Sequence, residues 1–145
     1  SVAETLRILF EYDKLAQASE IKKELEVSDK LWWHLLCDTY AKADKWSALE
    51  EYIEKNTSKR NPPPIGYLFI IELCVQHRQT DRAKYYISKL HDLHEKLEWF
   101  CQLKLWNEAV DAAYAEKAVD ALQTIQRTCK DQAVLRKIEQ LLEKL

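Results

Sequence analysis

The stretch Pro62-Pro63-Pro64-Ile65-Gly66-Tyr67 contains all three prolines and the only glycine of this 145-residue chain. Proline lacks a backbone donor and holds φ near −65°, so three in succession favour an extended segment and allow a helix to begin at the last one. We therefore predict a helix over residues 65–77 and a hinge at 62–64 between two runs of paired helices. Gly66, in the first turn of that helix, predicts that another backbone passes close by.

Outside this stretch the composition is that of a helical protein. Hydrophobic residues make up 47% of the chain, and the turn residues that β-structure needs every 8–12 positions are missing. The length fits one domain, 1–145. No apolar run of 18 residues suggests a membrane span, and the chain begins inside an amphipathic pattern, as a fragment of a longer protein would.

Apolar spacing and candidate caps divide the chain into ten predicted helices joined by very short links. They cover residues 2–12, 14–26, 30–43, 45–55, 65–77, 81–90, 93–103, 105–116, 118–129 and 131–145. The candidate N-caps are Asp13, either Ser28 or Asp29, Asp44, Thr80, and Asp92 with Glu95 in a capping-box arrangement.

A degenerate repeat runs through these helices. Four sets of apolar residues share the spacing 4, 4, 8 and end on an alanine: Val2, Leu6, Phe10 and Ala18; Trp32, Leu36, Tyr40 and Ala48; Tyr67, Ile71, Val75 and Ala83; Leu93, Leu97, Cys101 and Ala109. Positions four apart share a helical face, and alanine lets a return helix approach closely. The pattern predicts an all-α fold, an elongated α-solenoid of about five antiparallel helical hairpins.

The charge and cysteine patterns argue against several functions. The net charge is −2 without a basic stretch, which disfavours nucleic acid as a partner. The four cysteines are far apart, on apolar helix faces, and are expected to be reduced thiols. No glycine-rich phosphate loop or activated nucleophile is present, so we predict no enzyme activity and no cofactor or metal. The pair His91 and His94 leaves open a zinc-binding alternative, although its spacing departs from the known zinc-enzyme motifs.

Two motifs and the sequence between and after them carry a family resemblance. The first is Lys30-Leu31-Trp32-Trp33 and the second is Pro64-Ile65-Gly66-Tyr67; later matching segments are Ile71-Glu72-Leu73-Cys74, Arg82-Ala83-Lys84-Tyr85-Tyr86 and Asn107-Glu108-Ala109-Val110-Asp111-Ala112-Ala113. Over nearly its whole length the chain resembles the C-terminal domain of vacuolar protein sorting-associated subunit 16. A related subunit of the spermatogenesis-defective/VIPAR kind is the nearest alternative, and Pro-Ile-Gly-Tyr favours the former.

The resemblance implies a non-catalytic scaffold in the HOPS and CORVET tethering complexes. These complexes join endosomal or lysosomal (vacuolar) membranes before SNARE-driven fusion, and in this family the C-terminal solenoid recruits a Sec/Munc-type subunit. The implied location is cytoplasmic, on late endosomes and lysosomes, with membrane association only through the complex. A peptide-binding helical-repeat adaptor is an alternative that the residues leave open.

The predicted partner-binding residues lie in the first third of the chain: Arg7, Ile8, Tyr12, Lys30 and Trp33. Ile8 and Tyr12 form an apolar row away from the arc of Leu6 and Phe10, with Arg7 and Lys30 as basic neighbours. Either a partner or an upstream hairpin is expected to cover this row. Trp33 is open to two interpretations, core packing or a binding hot spot.

Overall fold

The computed structural model describes all 145 residues and consists of ten α-helices without a strand. In chain order they are α1 Val2–Glu11, α2 Leu15–Glu24, α3 Asp29–Lys42, α4 Trp46–Asn56, α5 Tyr67–Gln76, α6 Thr80–Ile87, α7 Leu93–Gln102, α8 Trp106–Ala115, α9 Val119–Thr128 and α10 Gln132–Glu143. The predicted all-α fold is confirmed, with helices that are mostly shorter at their ends than predicted.

The chain divides into two compact units, Ser1–Ala83 and Lys84–Leu145. In the first unit α1 packs on α2 and α3, and α3 packs on α4 and α5. In the second, α7 packs on α8, α8 on α9, and α10 on both α8 and α9. Contacts between neighbouring helices of this kind are those of the predicted α-solenoid. A single domain with a hinge at 62–64 stays a prediction.

Six of the nine links between helices contain one residue of left-handed backbone conformation, and five of these six links are three residues long. Six non-glycine residues have positive φ: Asp13, Glu26, Asp44, Arg78, Lys104 and Lys117. Around Asp13, for example, the Lys14 N–H donates to the Leu9 carbonyl and the Asp13 N–H to that of Phe10, at 2.8 and 3.1 Å. This is the Schellman arrangement, which usually places glycine at the left-handed position.

These turns overturn two of the predicted caps. Asp13 and Asp44 occupy the left-handed positions that end α1 and α3, and the N-caps of α2 and α4 are the following lysines, Lys14 and Lys45, without a side-chain bond. Thr80, predicted to be a cap, is the first residue of α6. An aspartate in a short helix link satisfies both the N-cap and the left-handed preference, and the pattern alone does not separate them.

Two other predicted caps are confirmed. Of the two alternatives Ser28 and Asp29, Ser28 is the N-cap of α3, where its hydroxyl accepts from the Leu31 N–H at 3.2 Å. Asp92 caps α7 by accepting from the Glu95 N–H at 3.3 Å. Ser28 lies two residues after the left-handed Glu26, and no left-handed residue lies just before Asp92, so neither side chain has to serve both roles.

The proline segment differs from its prediction. Helix α5 begins at Tyr67, with Gly66 as its N-cap at φ 74° and ψ 177°. That backbone conformation is almost restricted to glycine. A Cβ added to Gly66 would meet no atom within 4 Å, so the predicted close approach is wrong and the glycine is needed for its φ.

The repeat is confirmed in outline but one copy is out of register. The fifth residue after the left-handed position is fully or almost fully buried in each of five turns: Ala18, Leu49, Ala83, Ala109 and Leu122. In the second copy the buried residue is Leu49, and the predicted Ala48 is exposed. The sequence did not reveal this one-residue shift because α3 is buried on two sides. Apolar residues therefore occupy both the predicted register and the one that the structure shows.

Candidate partner-binding surface

Helix α1 separates its residues into a buried and an exposed side. Leu6 and Phe10 are completely buried, whereas Ile8 is 54% and Tyr12 70% exposed. The predicted apolar row therefore lies on the surface of the first unit. The buried side faces α3 as well as the return helix, because the Phe10 ring packs on the rings of Trp32 and Tyr40.

Arg7 lies at a shallow cleft between α1 and α3. Arg7 and Glu11 line the cleft from α1, and Asp38, Thr39, Lys42 and Ala43 line it from the other side. Lys42 and Asp38 form an ion pair of 3.0 Å across one turn of α3. The cleft is therefore walled by charges of both signs.

Lys30 is exposed in the first turn of α3. It precedes Asp38 by eight residues, which corresponds to about 12 Å along a helix axis. Lys30 and Arg7 therefore do not meet, and the predicted basic rim consists of two separate points.

Trp33 lies in the core, only 6% exposed, with its ring 5.1 Å from the ring of Tyr52 on α4. Trp32 is also buried, and its indole N–H donates to the Tyr52 hydroxyl at 2.8 Å. Both tryptophans thus hold α3 against α4, while Trp32 also contacts α1 through Phe10. Of the five predicted residues, Trp33 alone is not available on the surface.

An exposed apolar patch next to Lys30 was missed by sequence reasoning. The His34 ring of α3 stacks on the Phe69 ring of α5 with centroids 4.5 Å apart. Leu31, one turn before His34, and Leu68, next to Phe69, are 42% and 43% exposed. We call Leu31, His34, Leu68 and Phe69 the His34 patch. Its only signal in the sequence is that Leu31 and Leu68 fall outside the inward-facing arcs.

The histidines considered for zinc do not form a site. His94 pairs with Glu98 at 3.1 Å in an exposed position on α7, and His91 precedes the helix. No three His, Cys, Asp or Glu side chains gather in a way that could hold a metal ion.

Three of the four cysteines have raised thiol pKa values. Burial, followed by the electrostatic effect of the neighbouring Cys74, raises the pKa of Cys37, and burial raises the pKa of Cys74 to about 12. Burial also raises the pKa of Cys101. Because the thiolate is the reactive form, these side chains behave as small apolar groups at neutral pH.

The consecutive helix pairs place the chain among the α-solenoid proteins, and its sequence places it in one family. It belongs to the family described as Vps16, C-terminal region, which it matches over residues 1–144. None of its helices has the length and apolar character required to cross a membrane.

Three relatives illustrate the similarity. The chain is 30% identical over 141 residues to the vacuolar protein sorting-associated protein 16 homolog of Dictyostelium discoideum and 30% over 135 residues to that of Drosophila melanogaster. It is 31% identical over 135 residues to Protein VACUOLELESS1 of Arabidopsis thaliana. The matches cover 97%, 93% and 92% of this chain but only 16%, 15% and 15% of the relatives.

Proposed function

We propose that the chain is a non-catalytic scaffold for vacuolar protein sorting, as a subunit of the HOPS and CORVET membrane-tethering complexes. The observation that carries this proposal is the family match over residues 1–144. The names of the relatives associate them with vacuolar protein sorting, in keeping with that role. On this proposal the chain works on the cytoplasmic side of late endosomes and lysosomes, and other subunits of the complex provide the membrane contact.

The finer part of the proposal is that the solenoid binds a Sec/Munc-type subunit through α3 and α5. The His34 patch offers the exposed side chains of Leu31, His34 and Leu68 beside the half-buried ring of Phe69. Lys30 directly precedes Leu31 and supplies a basic rim. An apolar centre with a charged edge is the usual composition of a protein interface.

The other predicted residues take separate roles in this proposal. Arg7 adds a cationic point at the α1–α3 cleft, beyond the His34 patch. Trp33 acts indirectly, because its packing against Tyr52 sets the position of α3 relative to α4. Ile8 projects from α1 about 100° away from Arg7, so the apolar row belongs to a different surface.

The test is binding of the Sec/Munc-type subunit to the Lys30→Glu variant, measured by pull-down and by titration calorimetry. We expect Kd to rise about tenfold, the effect of roughly 1.4 kcal/mol at an interface. Thermal stability should stay the same or rise slightly, because a carboxylate near a helix N-terminus is favourable by about 0.3–1 kcal/mol. A loss of binding would therefore not reflect unfolding.

Lys130→Glu is the matched control, because Lys130 is also an exposed lysine close to a helix N-terminus. It directly precedes Asp131, the N-cap of α10. Leu31→Ser should weaken binding similarly, with the exposed Val119→Ser on α9 as its control. If Lys30→Glu and Leu31→Ser bind normally while a control abolishes binding, the proposed site is at the wrong end of the chain.

A further inference from the structure

The longest link between two helices of the chain is the ten-residue segment between α4 and α5. Its residues 58–62 are all exposed and form the longest unbroken exposed run in the chain. Within this run Ser58 and Asn61 close a tight turn, because the N–H of each donates to the carbonyl of the other, at 3.0 and 3.1 Å. The turn places Lys59 and Arg60 at its two corners, on the surface of the first unit.

The charge around this turn is positive and uncompensated. No acidic residue occurs between Glu54 and Glu72, which is the longest interval without one in the sequence. Neither Lys59 nor Arg60 forms an ion pair with a carboxylate. The turn therefore presents two cations that the rest of the first unit does not neutralise.

The Ser58 hydroxyl directly precedes these cations. Its oxygen accepts from the Asn61 N–H at 3.1 Å, and its own proton has no acceptor. A serine followed by basic residues, in a segment without acids, is a charge pattern that many serine/threonine kinases select, because their substrate clefts are acidic. The sequence Ser58-Lys59-Arg60 has this pattern.

The structure distinguishes Ser58 from five other hydroxyls that also lie two residues before a basic residue. They are Thr5, Ser28, Thr57, Thr80 and Thr128. Each of them lies in a helix or is a cap residue of one, and Thr57 is half-buried and donates to the Ile53 carbonyl at 2.6 Å. An enzyme that acts on a polypeptide needs a segment that leaves the packed structure easily, as proteases do at exposed loop tips. Only the Ser58 hydroxyl meets both the charge and the structural requirement.

We propose that Ser58 is a phosphorylation site for a serine/threonine kinase that recognises basic residues on the C-terminal side of its target. The Ser58 oxygen attacks the γ-phosphorus of ATP, the bond from that phosphorus to the β-phosphate oxygen breaks, and ADP leaves. The hydroxyl proton passes to the catalytic aspartate of the kinase. The phosphate adds a charge of about −1.5 to −2 beside Lys59 and Arg60 and so cancels most of the positive charge of the turn.

This inference is independent of the proposed function. It is tested by incubating the purified full-length protein with Mg²⁺, ATP and the catalytic domain of protein kinase C, and by following each site with peptide mass spectrometry. The Thr5→Ser variant supplies an internal control, because position 5 is exposed and precedes Arg7 by the same two residues but lies in α1. Ser58 should be phosphorylated at least tenfold faster than position 5.

Arg60→Ala should slow phosphorylation of Ser58 about tenfold, whereas Lys130→Ala, which removes an exposed cation far along the chain, should leave the rate unchanged. Both changes are on the surface, and circular dichroism checks that the variants are folded. The inference is wrong if the kinase modifies a reference peptide but not Ser58, if position 5 reacts as fast as Ser58, or if Arg60→Ala has no effect on the rate.

Discussion

The Phe10 ring meets the Trp32 ring edge-on, with centroids 4.9 Å apart and planes inclined by 83°. This contact joins the first helices of two successive hairpins, and the Trp32 indole extends it to α4 by donating to Tyr52. Edge-to-face pairs of buried aromatic rings stabilise by about 0.5–1.5 kcal/mol beyond their area. The pair is therefore a central link between the first two hairpins.

Replacing Phe10 by alanine should lower the free energy of unfolding by about 3–5 kcal/mol, since a fully buried aromatic ring is removed and a cavity remains. Urea denaturation followed by circular dichroism measures the change. Tyr12→Ala removes an aromatic ring from the exposed side of the same region and should cost less than about 0.5 kcal/mol. Equal costs for the two variants would contradict the assignment of Phe10 to the core.

Gly66→Ala should destabilise the chain by about 1–3 kcal/mol because φ 74° with ψ 177° is strained for any residue with a Cβ. Gly66→Leu should cost about as much as Gly66→Ala, since the space around the Cβ is open. Thermal denaturation of both variants checks this. A much larger cost for leucine than for alanine would instead support the close approach of another backbone that the sequence suggested.

Lys117→Gly should stabilise the chain by about 1 kcal/mol, because Lys117 holds the left-handed position after α8 and glycine adopts it without the Cβ penalty. Lys117→Ala removes the same charge but keeps the Cβ, and it is expected to give no gain. The measurement is the midpoint of urea unfolding of both variants. If Lys117→Ala gains as much stability as Lys117→Gly, the gain comes from removing the charge and not from relieving the backbone.

Stability should fall as the pH rises above about 9. Burial raises the pKa of both Cys37 and Cys74 in the folded chain, whereas unfolded thiols ionise near pH 8.5. Below that pH both states are protonated and the stabilisation is complete. Above it the thiols of the unfolded state lose their protons first. Each of the two thiols then lowers the free energy of unfolding by about 1.4 kcal/mol per pH unit.

The measurement is the free energy of unfolding between pH 8 and 10 for the chain and for the Cys37→Ala/Cys74→Ala double variant. The double variant is less stable at pH 8 because of its cavities, so the slopes are compared. Its decline with pH should be shallower. Parallel declines would show that these two thiols do not cause the loss.

Local patterns were sufficient for the elements of this fold. The number of helices, the Ser28 and Asp92 caps and most of the repeat depend on neighbouring residues, whose spacing states which face is apolar. Local patterns failed at Asp13 and Asp44. Aspartate is common both at the left-handed position that ends a helix and at the N-cap of the next one, and only the hydrogen bonds of the turn show which position each residue occupies.

The site depended far more on the tertiary structure. Exposure of Ile8 and Tyr12 was predictable from the helical wheel of α1 alone. The burial of Trp33 and the stacking of His34 on Phe69 required knowing which helices lie beside α3. The sequence by itself determined a helical repeat and its family, since both are written in residue order. Only the tertiary structure decided which apolar residues of α3 are buried, because a helix with neighbours on two sides hides residues that its own periodicity would leave exposed.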